Sequence, residues 1–84
     1  MGRYKWSVQE SLLLDLLKSI RLEAGLSGPN IQKLLGRPNS YVAKVESGDK
    51  RLDILELNEY CKVCNISITE FAKRLEESLN QRNL

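Results

Sequence analysis

The sequence predicts an all-α fold, a compact bundle of five short helices. Apolar residues recur at helical spacing in segment after segment, and no alternation or Asn-Gly hairpin turn competes. Capping residues separate these segments at short intervals. The core must be aliphatic and leucine-rich, with 15 Leu and 5 Ile against 4 Val and 6% aromatics. At 84 residues the chain holds one domain. The expected division is an N-terminal flank over 1–6, a helical core over 7–79 and a frayed end over 80–84.

Ser7-x-x-Glu10 reads as a capping box opening the first helix. Val8, Leu12, Leu13, Leu16, Leu17 and Ile20 then form an apolar stripe reaching about Ala24, where Gly25 supplies a left-handed stop. Ser27 caps a second helix, with Pro29 in its first turn and Ile31, Leu34 and Leu35 facing inward. Gly36 ends it. Pro38 opens the third helix, which carries Tyr41, Val42 and Val45 and stops at Ser47-Gly48. Asp53-x-x-Glu56 starts a fourth, with Ile54, Leu57, Cys61 and Cys64 down one face, Leu55 and Tyr60 beside them and Asn65 as cap. Ser67-x-x-Glu70 starts a fifth, running through Phe71 and Leu75 to Leu79.

The chain has no histidine, which removes Ser-His-Asp and Cys-His catalysis and any His-containing metal site. No Gly-rich phosphate loop, membrane-length apolar run or signal-peptide h-region is present. A cytoplasmic protein without metal or cofactor is expected, and no acid–base constellation marks an enzyme. Cys61-x-x-Cys64 reads as two small buried side chains one turn apart; a redox pair and a zinc site shared between molecules are the alternatives.

Net charge is +2, distributed unevenly. Residues 1–27 carry +1 and residues 53–84 carry −2. Residues 28–52 carry +3, from Lys33, Arg37, Lys44, Lys50 and Arg51 against Glu46 and Asp49. Helices two and three and the loop after them are the basic part, a balance suited to nucleic acid or to a plain solvated face.

Gly25-Leu26-Ser27, then Gly36, then Ser40-Tyr41-Val42-Ala43-Lys44-Val45-Glu46-Ser47-Gly48 place two short helices around a tight turn, the pattern of a helix-turn-helix. From about Leu16 to Phe71 the chain resembles the Cro/phage-repressor (XRE) family, whose five-helix domain is of the lambda-repressor type. The resemblance implies a helix-turn-helix with a recognition helix over about 38–47. Asn39, Ser40 and Lys44 then face base edges: Asn suits adenine, Lys suits guanine and Ser is permissive. Ser27, Gly28 and Asn30 form a phosphate-binding helix start, and Ser47, Lys50 and Arg51 grip the backbone from the following loop. Arg37 is a phosphate contact or a solvated turn residue. Tyr41 contacts DNA or packs on helix two. Arg21 and Glu46 match a pair bridging helix one to the recognition helix, the alternative being unrelated surface charges. Two positions depart from the family. Gly28 stands where helix two usually begins with Gln, and Gln32 stands where a small residue is usual, implying wider packing of that helix.

The implied function is sequence-specific reading of double-stranded DNA by a homodimeric transcriptional regulator, such as a repressor, on a pseudo-palindrome. Phe71, Leu75 and Leu79 are the first candidates for the dimer surface, and Tyr4 and Trp6 the second; all five equally suit the monomer core. The competing reading is a protein-interaction module or antitoxin-like partner that kept the fold without strong DNA binding.

Overall fold

In the computed structural model, which describes residues 3–84 and their side chains from Val8 onward, five helices follow in order: α1 (Arg3–Glu23), α2 (Gly28–Leu35), α3 (Tyr41–Ser47), α4 (Ile54–Val63) and α5 (Ile68–Gln81). No strand occurs among the described residues. α3 packs between α1 and α2, α4 covers α2, and α5 closes the bundle against α1 and α4.

The local sequence sets most helix ends. Ser27 Oγ accepts from the Asn30 N–H at 3.2 Å, and Asn30 Oδ1 accepts from the Ser27 N–H at 3.0 Å. Asp53 and Glu56 make the same reciprocal box at α4, at 2.7 and 3.0 Å. Gly25, Gly36 and Asn65 all adopt positive φ just past a helix. Behind each, the next residue's N–H reaches back to Arg21, Gln32 or Cys61, closing the freed carbonyls in the Schellman manner.

Several boundaries differ from the sequence reading. Ser7 is not a cap, because α1 begins at Arg3 and runs through it. Residues 3–7 hold no Gly or Pro to stop a helix, and the Glu10 carboxylate accepts from Arg51 instead. The side chains of Tyr4 and Trp6 lie outside the described residues. At α5 only half of the expected box forms: Ser67 caps the Glu70 N–H, but Glu70 turns its carboxylate to Arg74. α5 also runs past Leu79 to Gln81, and the N–H groups of Asn83 and Leu84 bond back to Asn80 and Leu79.

The core is built from Leu17 and Ile20 of α1, Ile31 of α2, Tyr41, Val42 and Val45 of α3, Tyr60, Cys61 and Cys64 of α4, and Phe71 of α5. Tyr60, read as flanking, is fully buried, whereas Ile54 and Leu55 are 66% and 73% exposed. The buried face of α4 is therefore rotated toward Tyr60, and Ile54 and Leu55 in its first turn face solvent. On α2, Leu34 is exposed and Gln32 is buried in its stead.

Gly48 shows how closely α1 approaches the end of α3. Its φ is +88°, and a Cβ there would sit 3.0 Å from Glu10 Oε2 and 3.3 Å from Leu14 Cδ1. A Cβ on Gly36, at φ +64°, would meet nothing within 4 Å. Gly36→Ala should therefore lose only the left-handed penalty, about 1 kcal/mol. Gly48→Ala should lose about 2–3 kcal/mol, since contact strain is added. Urea unfolding of the two variants measures this, and equal losses would contradict the α1–α3 packing.

Candidate nucleic-acid interface

α2 and α3 are joined by the five residues 36–40. The third helix begins at Tyr41 and not at the expected Pro38. The Tyr41 N–H donates to the Pro38 carbonyl at 3.2 Å, and Ser40 stands at φ +71°. A right-handed helix cannot contain that conformation, so Asn39 and Ser40 lie in the turn and α3 has only seven residues. Both remain exposed, next to exposed Ala43 and Lys44. Tyr41, Val42 and Val45 point inward, which fixes the opposite face as the outward one.

Ser40 makes no side-chain cap. The start of α3 is satisfied from another helix: Gln32 Oε1 accepts from the Val42 N–H at 3.1 Å. This buried side chain does not force α2 and α3 apart. A Cβ on Gly28 would stand 3.4 Å from Val42 Cβ and 3.9 Å from Gln32 Oε1, both ordinary contact distances, so α2 and α3 pack closely here with the amide beside them. The two departures from the family pattern thus lie beside one another. The sequence held a signal for this contact, because Gln32 borders the inner arc of α2 next to Leu35 and α3 lacks a reciprocal box of its own.

The other end of α3 is held by Arg21. Its Nε lies 2.6 Å from Glu46 Oε2, its second terminal nitrogen donates to Glu46 Oε1 at 3.2 Å, and its first donates to the Leu26 carbonyl at 3.0 Å. The paired side chains are 14% and 16% exposed. The hydrogen bonds to Glu46 raise the pKa of Arg21 against the opposing effect of burial. Tyr60 lies on the same side of the core; burial, followed by the nearby Glu46 charge, drives its phenol pKa up and keeps it neutral.

The basic residues are less free than the sequence suggests. Arg37 sits over the Tyr41 ring, 5.4 Å from its centroid, and reaches Glu59 at 3.3 Å and Glu56 at 4.0 Å. It is neither a solvated turn residue nor an unengaged phosphate contact. Tyr41 is 6% exposed beneath it and is not on the outer face, because the apolar ring fills the space between the turn and α4. Lys50 pairs with Glu56 at 3.3 Å and Arg51 with Glu10 at 3.3 Å. The backbone bond from Asp53 and then Lys50 lower the Glu56 pKa. Lys33 and Lys44 are exposed and have no carboxylate partner among the described residues.

The phosphate groups proposed on α2 and after α3 are also partly engaged. Asn30 cannot offer its N–H outward while it bonds Ser27, which leaves the Gly28 N–H as the first-turn donor without an acceptor within the described chain. The Ser47 hydroxyl donates to the Lys44 carbonyl at 3.1 Å and accepts from the Asp49 N–H at 3.4 Å, closing α3 rather than projecting from it.

Phe71 is 1% exposed and belongs to the core. Leu75 and Leu79 are half-buried and line a cleft with Gln9, Glu10, Leu13 and Arg51, so the α5 stripe faces α1. Cys61 and Cys64 are buried and free of any disulfide, and burial pushes both thiol pKa values up to about 11, far from a reactive thiolate. Among the described residues no group of metal-ligating side chains forms, and no helix is long and apolar enough to cross a membrane.

Arg21→Met should destabilise the protein by about 2–3 kcal/mol, because it strands Glu46 in a largely buried setting. The double variant Arg21→Met/Glu46→Leu should recover part of that loss. Chemical unfolding of both singles and the double tests this; additive losses would show that the pair is not coupled.

No curated protein matches the chain closely enough to count as a relative. A family model described as helix-turn-helix, of the Cro/C1 type, matches residues 17–71. That span begins at core Leu17, ends at core Phe71 and takes in both capping boxes, the turn and the whole of α3. The chain therefore belongs to the XRE family of DNA-binding helix-turn-helix regulators.

Proposed function

We propose that the protein reads a specific duplex DNA sequence and acts as a transcriptional repressor on the nucleoid in the cytoplasm. α3 and the turn before it enter the major groove. Asn39, Ser40 and Lys44 meet base edges; Ser27, Gly28, Lys50 and Arg51 approach the backbone on either side. The observation that carries this reading is the outward set Asn39 and Ser40 in the turn and Ala43 and Lys44 on α3, whose side chains pair with nothing among the described residues while the helix is anchored at both ends. A rigid, exposed polar edge one short helix long is what direct readout requires.

One such head contacts few base pairs, so two copies bind a pseudo-palindrome with half-sites about 34 Å apart. With Phe71 in the core, the large apolar residues most exposed among the described residues are Ile54 and Leu55. They follow directly on the loop after α3, so contact there keeps two reading heads close together.

A second reading, a protein-interaction module, draws support from one observation. Arg37, Lys50 and Arg51, three of the five basic residues in 28–52, are matched by carboxylates of α1 and α4. Under the DNA reading this neutralisation makes non-specific binding weak and leaves the discrimination to Asn39, Ser40 and Lys44.

Lys44→Ala should lose about 1–3 kcal/mol of discrimination at one base position. Glu56→Gln keeps an oxygen for the Asp53 N–H and releases Lys50. It should raise affinity several-fold for all duplexes and steepen the salt dependence by about one ion. Titrations against a selected duplex and its single-base variants at several salt concentrations measure both. Unchanged base preference in Lys44→Ala would show that the reading edge lies elsewhere.

A further inference from the structure

The Gln32 amide has two ends, and only one is used within the protein. The oxygen faces the Val42 N–H, and since that group is a donor, the atom facing it must be the acceptor. The Nε2 end donates to no protein acceptor among the described residues. It is also not among the fully enclosed polar atoms without partners, which are Arg37 Nε and Tyr60 OH. The residue is nonetheless only 8% exposed. Its remaining opening is the groove between the start of α2 and the turn into α3, lined by Gly28, Pro29, Asn39, Ser40 and Ala43. This groove lies on the outward edge assigned to DNA. A carboxylate, Glu46, stands on its inner wall, with its charge matched by Arg21.

A primary amide so nearly buried, with two N–H bonds unspent, lacks its partner. The Gly28 N–H at the same groove lacks one too, since Pro29 has no N–H and the Asn30 N–H is taken by Ser27. Two neutral donors at a helix start suit a singly charged oxyanion. A Cβ at position 28 would stand 3.9 Å from Gln32 Oε1, so the start of α2 and the amide border the same groove.

Resting on the DNA-binding reading, we infer that Gln32 is a DNA-backbone residue: its Nε2, together with the Gly28 N–H, donates to one phosphate oxygen of the duplex. The same side chain caps α3 through Val42. Gripping the phosphate therefore fixes where the reading helix stands, since one planar amide makes both contacts. The contact carries no base information and strengthens binding to every sequence alike.

The test uses the full chain and its selected duplex, with a single uncharged methylphosphonate walked along each half-site. The parent should lose about tenfold in affinity at one phosphate beside the start of α2. Gln32→Glu keeps an oxygen for Val42 and so keeps the fold, but offers no donor and adds a negative charge. It should bind all ordinary duplexes at least tenfold more weakly, and the methylphosphonate at that site should no longer weaken it. If Gln32→Glu does not fold, Gln32→Met, similar in length and without a donor, reads the same site: loss of the interference there supports the contact, and its persistence overturns it. Parent-like affinity and interference in Gln32→Glu would overturn the role of Gln32 while leaving DNA binding intact. Failure of the parent to bind any selected duplex would overturn the DNA reading, and this contact with it.

Discussion

The guanidinium of Arg21 joins three parts of the fold at once. It leaves α1, bonds the Leu26 carbonyl in the turn before α2, and holds both carboxylate oxygens of Glu46 near the end of α3. α3 is seven residues long, too short to hold a helix by propensity. Its position depends on neighbours, and Arg21 fixes one end while Gln32 fixes the other. Between these anchors Val42 and Val45 are locked into the core. A reading helix must present side chains to within a fraction of an ångström, and here that order is imposed from α1 and α2.

The same architecture shapes the electrostatics. The sequence concentrates its positive charge in residues 28–52, yet folding brings Glu10 from α1 and Glu56 and Glu59 from α4 against much of it. These surface pairs contribute little to stability. Their consequence is for the field, since they reduce the pull toward any polyanion and leave Lys44 prominent on the outer edge.

Much of this was legible in the sequence, for local reasons. Asp53-x-x-Glu56 is a short-range signal, and so is the left-handed demand on Gly25 and Gly36; the structure obeys both. The meeting of Arg21 with Glu46, 25 positions apart, followed from family likeness and not from spacing. What stayed hidden depends on tertiary contact. The period of α4 allowed either Ile54 or Tyr60 to face inward, and only the approach of α2 decided it. Tyr41 was balanced between surface and core until Arg37 and α4 covered it. Phe71, Leu75 and Leu79 form a true stripe, but the partner of that stripe is α1. In the sequence Gln32 implies wider packing, because a polar residue on an inner arc is unfavourable until its hydrogen-bond partner is known. Ser40 was placed on a helix because a positive φ at serine has no sequence signature as strong as glycine's.

Under the proposed function the outward edge of α3 reads base pairs. The most direct test is selection of the full chain against a random duplex pool, followed by titration of the enriched sequence at several salt concentrations. The expected result is a roughly palindromic site whose half-sites lie one helical turn apart, occupied by two copies, with affinity that falls steadily as salt rises. A pool that shows no enrichment after repeated rounds, with at most weak binding indifferent to sequence, would contradict it.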